Sequence, residues 1–207
     1  MNSKRVFSAV LFAALLCGCS SNDMTPAQAK SVLNDFFAKN PQTNKVLTGM
    51  NNIGTDPVAA HWDTPDGKYQ KAMEAAGLVT ITPPKGKIFN PQNHSQWMYA
   101  LDVKLTDKGK KLVTGKPQVI PAPSKNTWDT VYENATFCTK EVVNIASIST
   151  NDDYARAEYT YKFGNFTPFY DSFHVADPKD TTTCPTQPQE ATAGFDRKNG
   201  VWSLSPQ

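Results

Sequence analysis

Between residues 25 and 40 the apolar positions Ala29, Val32, Leu33, Phe36 and Phe37 recur at helical spacing. Thr25-Pro26 supplies a capping hydroxyl and a first-turn proline, and Asn40-Pro41 stops the run. The pattern predicts an amphipathic helix whose apolar face packs on the protein's own core. Residues 42–67 read instead as turns, through Asn51-Asn52, Gly54 and Asp56-Pro57, and end in His61-Trp62-Asp63-Thr64-Pro65-Asp66-Gly67. A second helix is predicted over 67–76, with Tyr69, Ala72, Met73 and Ala76 on one face and Gly77 as its stop. Strands are predicted over 78–82 and over 97–105, where Trp97, Tyr99, Leu101, Val103 and Leu105 alternate; Pro83-Pro84-Lys85-Gly86 is a turn between them. Pro117, Pro121 and Pro123 mark 116–127 as a linker or packed crossover. Beyond it the period changes to two: strands are predicted over 136–148 and 154–163, joined at Asn151-Asp152-Asp153, and a last hairpin turns at Asn199-Gly200.

At the N-terminus, Lys4 and Arg5 precede an almost wholly apolar run from Val6 to Gly18, the layout of an export signal and too short to span a bilayer. Leu16-Cys17-Gly18-Cys19 resembles the lipobox of bacterial lipoproteins. The resemblance implies a signal peptide over 1–18 and acylation of Cys19 as the first mature residue, with Leu16 as the upstream aliphatic and Gly18 as the small residue. More than one acyl chain is needed for stable anchoring, and the lipoprotein modification supplies it. Ser20 after the cysteine resembles sorting to the outer membrane, on its periplasmic face.

Removing 1–18 takes away Lys4 and Arg5, which together make up the whole formal charge of +2. The mature chain is balanced and has no basic block, so nothing in it predicts nucleic acid as a partner. Residues 68–113 resemble a winged-helix module: a helix, the Gly77-Leu78 turn, a hairpin, then Leu105-Thr106-Asp107-Lys108-Gly109. In the cytoplasm that resemblance would imply DNA binding. The export signal, and the lack of any arginine between Gly18 and Ala155, exclude it here. With Cys17 removed and Cys19 acylated, Cys138 and Cys184 are left to form one disulfide in an oxidising compartment.

The expected fold class is α+β: a helix-rich, weakly winged-helix-like N-terminal half followed by an antiparallel β-rich C-terminal half. The expected divisions are a tether at 19–24, an α+β subdomain at 25–115, the linker or crossover at 116–127, and a β-rich subdomain with the disulfide at 128–207. Chemistry is sparse. His61, His94 and His174 are widely separated, His61 and Asp63 lack a second ligand pair, and there is no nucleophile elbow, zincin motif or glycine-rich phosphate loop. No metal and no cofactor are expected. Phe166, Phe169, Tyr170 and Phe173 cluster around Pro168, as core or as the lip of a ligand site. The favoured reading is a membrane-anchored protein-binding or structural module of the envelope, with an envelope protein as its partner. A small-ligand carrier or sensor with an aromatic pocket comes second, and a cell-wall hydrolase last.

Overall fold

The computed structural model describes residues 23–54, 58–82, 88–89, 97–122 and 128–206. The lipobox with Cys19, the turn at 83–86, His94 and the end of the 116–127 stretch lie outside them. Helix α1 (Pro26–Lys39) starts where its cap predicts: the Thr25 hydroxyl accepts from the Gln28 amide, and the Gln28 side chain accepts from the Thr25 amide. Strand β1 (Gln42–Gly54) follows directly, then the single turn α2 (Val58–His61), α3 (Pro65–Ala75), β2 (Val79–Thr82), β3 (Ile88–Phe89) and β4 (Trp97–Leu105). The second half contributes the single turn α4 (Asp107–Lys110), β5 (Val113–Ile120), β6 (Thr130–Asn151), β7 (Tyr154–Gly164), α5 (Pro168–Ala176), β8 (Gln189–Lys198) and β9 (Val201–Leu204).

The strands form one antiparallel, nine-stranded sheet in the order β2-β4-β1-β6-β7-β8-β9, with β3 on β4 and β5 on β6. This corrects the expectation of a helix-rich, winged-helix-like N-terminal half. Residues 42–54, whose asparagines and glycines look like turn residues, make a 13-residue central strand. Asn and Gly are poor strand formers in isolation, but β1 has a neighbour for each of its two stretches: Gln42–Thr48 pair with β6, and Gly49–Gly54 with β4. The exchange of partners falls at Gly49, whose φ of 77° lies in the left-handed region that favours glycine. Strands β2 and β4 are continuous with the same sheet.

Strand β6 is the spine. Its first part pairs with β1 and with β5, and from Thr139 onward it pairs with β7. Within the stretch expected as linker or crossover, β5 pairs with β6 through Ile120 and interrupts its ladder between Thr114 and Gln118, where Gly115 (φ 73°) and Pro117 stand. A bulge tolerates both the positive φ and the missing amide.

Two cores flank this spine. The first packs Ala29, Leu33 and Phe37 of α1 onto Val142, Ala155, Ala157, Phe195 and Trp202. Asn34 Oδ1 accepts the Val142 amide at 2.9 Å and Lys30 Nζ donates to the Val143 carbonyl at 3.3 Å, so α1 also saturates part of β6's polar backbone. The second core gathers Met73, Leu78, Val79, Leu101, Val103, Phe137 and Phe169 under α3 and α5. Helix α3 ends in a Schellman motif: the Leu78 amide donates to the Met73 carbonyl, the Gly77 amide to that of Glu74, and Gly77 has φ 70°. The final hairpin turns on Asn199 and Gly200, both with positive φ as a type I′ turn requires. Because the Thr25 cap fixes α1 over the first core, Thr25→Ala is expected to cost about 1 kcal/mol. A thermal melt would read this as a fall of about 2–4 °C at this chain length.

Candidate functional site

The aromatic run near residue 170 lies on α5, which is docked to β6 by Thr167: its amide donates to the Phe137 carbonyl at 2.9 Å and its hydroxyl to that of Thr136 at 2.5 Å. Phe169 is fully buried in the second core. Phe173 packs edge-on to Tyr69 and tilted against Phe137, with centroids 5.7 and 5.5 Å away. Tyr170 meets Phe137 at 6.2 Å on one side and on the other continues a stack from Phe166 (4.7 Å) to His174 (5.8 Å). Phe169, Tyr170 and Phe173 are therefore packing residues, and Phe166, 42% exposed, is the outer end of a ring stack.

Cys138, next to Phe137, is bonded to Cys184 with their Cα atoms 6.6 Å apart. The bridge ties the segment after α5 to the spine. Within that segment the Asp180 carboxylate accepts from the hydroxyl and amide of Thr182 (2.6 and 2.8 Å) and from the Thr183 hydroxyl. These bonds, the Thr182 hydroxyl's foremost, hold the Asp180 carboxyl down at about 2.

The His61 cluster is real but not an acid–base pair. His61 Nε2 is 2.9 Å from Oε1 of the buried Gln70, and its ring lies 5.3 Å from that of Trp62, over which Lys71 places its ammonium at 5.0 Å. Gly67 is required here because a Cβ would lie 2.0 Å from the His61 carbonyl oxygen. Nearby, Lys45, Asp66, Tyr69, Gln70 and Tyr132 border a polar cleft of about 210 Å³. The Tyr69 hydroxyl there is buried without a hydrogen-bond partner, and burial pushes its pKa up, so the phenol stays protonated.

A larger cleft, of about 490 Å³, lies along α1, where Leu33, Phe36 and Phe37 face Tyr159 of β7, Ala193 of β8 and the chain after β9. Its size and mostly apolar lining suit a small ligand. Lys140 contributes its one cation. The ammonium stands over Tyr161, Phe37 and Phe163, 4.8, 5.6 and 5.7 Å from their centroids. The Tyr159 phenol is held above its usual pKa by burial and by neighbouring Tyr161. Sequence periodicity finds two sides of this cleft, the helix face at Leu33 and Phe37 and the alternation of Tyr159 with Tyr161. It misses Lys140, which sits in β6 between Thr139 and Glu141 with no local signal.

Among the described residues no three or more His, Cys, Asp or Glu side chains converge as a metal site, and no helix is long and apolar enough to cross a membrane. No protein-family model, curated protein or solved structure matches the chain.

Proposed function

We propose that this chain is a bacterial lipoprotein, acylated at Cys19, and that its folded part is a binding module held at the periplasmic face of the outer membrane. The observation that carries the reading is the Cys138–Cys184 disulfide. Structural disulfides of this kind belong to oxidising compartments. The bridge also accounts for both cysteines beyond the signal and lipobox, which leaves Cys19 free for acylation. A short polar tether at 19–24 then separates the lipid from α1. Cys19→Ala is expected to move the protein from the membrane pellet to the soluble envelope fraction. Unchanged fractionation refutes the anchor.

The two described histidines support binding over catalysis: His61 is engaged by an amide side chain and His174 by a ring face. Within the binding class, a small-ligand carrier or sensor is favoured by the cleft along α1, which has the volume and the apolar lining of a ligand site. The aromatic residues of α5 are committed to packing and leave that role to α1.

A further inference from the structure

We infer that the cleft along α1 binds an amphipathic carboxylate, an acid group on a single apolar body, with Lys140 as the residue that selects the charge. The inference rests on the carrier reading and deepens it. The apolar part of the ligand is set by Leu33, Phe36, Phe37, Ala193 and Leu204, which line the cleft. Phe36 is 44% exposed, although it adjoins the helix's buried face, and a ligand in the cleft would cover part of that ring.

The polar part is set by charge. Among the described residues the ion pairs engage Lys104, Lys110, Lys162 and Arg197, and none engages Lys140. Its ammonium is instead held among three ring faces, which attract a cation without neutralising it. A carboxylate reaching it gains a charge-assisted hydrogen bond in partly apolar surroundings, where such a bond is strong. Two hydroxyls stand by. Ser205 lines the cleft and its Oγ is buried with no hydrogen-bond partner, and Thr192 borders the same space. A cationic amphiphile would meet Lys140 as a like charge, and a fully polar ligand would leave the rings uncovered in water.

The test titrates decanoate into the full-length chain carrying Cys19→Ala, with decyltrimethylammonium and decanol as controls. Methyl resonances of Leu33, Ala193 and Leu204 report occupancy. The expected result is saturable shifts of these methyls with decanoate, and binding at least tenfold weaker for the cationic analogue. Lys140→Met, which keeps the side-chain length, is expected to weaken decanoate about tenfold, equivalent to about 1.4 kcal/mol. It should leave decanol unchanged, and Lys140→Arg should retain decanoate. Equal binding of the anionic and cationic amphiphiles, shifts confined to other methyls, or no saturable shift overturns the inference; the wild-type Lys140 chain alone yields these outcomes if Lys140→Met does not fold. The readout is independent of fractionation. A chain still membrane-bound that shows the shifts contradicts the anchor alone, and a released chain without them contradicts the cleft alone.

Discussion

Replacing Cys138 and Cys184 together by alanine is expected to lower the unfolding free energy by about 4 kcal/mol, the chain-entropy value for a loop of this length. The two cysteines stand 46 residues apart in sequence, so the bridge removes a large set of conformations from the unfolded chain. The folded chain changes little, because α5 is still docked on β6 through the two Thr167 bonds and by Phe169 in the core. In a urea titration with a slope of about 2 kcal/mol/M, the midpoint then falls by roughly 2 M with the slope nearly preserved. A shift worth less than about 1 kcal/mol would show that the bridge does not constrain the unfolded state as proposed. Against a typical total stability of 5–15 kcal/mol, the expected loss makes reducing conditions hazardous for this protein.

Phe137→Ala is expected to cost about 3–5 kcal/mol, the range for removing a fully buried aromatic ring. Phe137 has no exposed surface, and its ring contacts both Tyr170 and Phe173, so its removal takes away the platform on which α5 rests. β6 is paired with β1 on either side of Phe137, at Thr136 and Cys138, which limits how far the strand can move into the space left behind. Equilibrium unfolding of the variant measures the cost, and a loss under about 2 kcal/mol would mean that the second core repacks freely. Phe137 and Cys138 are adjacent, so combining this change with loss of the bridge should not give the sum of the two effects.

Local signals carried much of the fold. The first helix was legible because Thr25-Pro26 and Asn40-Pro41 mark its ends, the strand ending at Leu105 because its apolar residues alternate, and the last hairpin because Asn199-Gly200 favours the turn it makes. Strand β1 was not legible, since Asn44, Lys45, Gly49 and Asn51 have no strand preference of their own. What makes them a strand is the β4 and β6 ladders, formed by segments far along the chain. Pro117 is ambiguous in the same way, because turn residues and bulge residues are the same residue types. The disulfide followed from counting cysteines. The cleft along α1 could not be counted or spaced, because Leu33, Lys140, Tyr159 and Ser205 come from α1, β6, β7 and the chain after β9 and meet only in the folded chain.

The long spine has a further consequence for how the protein comes apart. A domain with two cores ordinarily has a seam, along which one part opens while the other persists. Here β6 runs unbroken from the β1 ladder to the β7 ladder, and Phe137 and Val142, one in each core, are five positions apart on it. Fraying in either core therefore pulls on backbone hydrogen bonds that hold the other, and the energetic units merge. The two cores are therefore expected to open together as one cooperative unit, which hydrogen exchange along β6 would report.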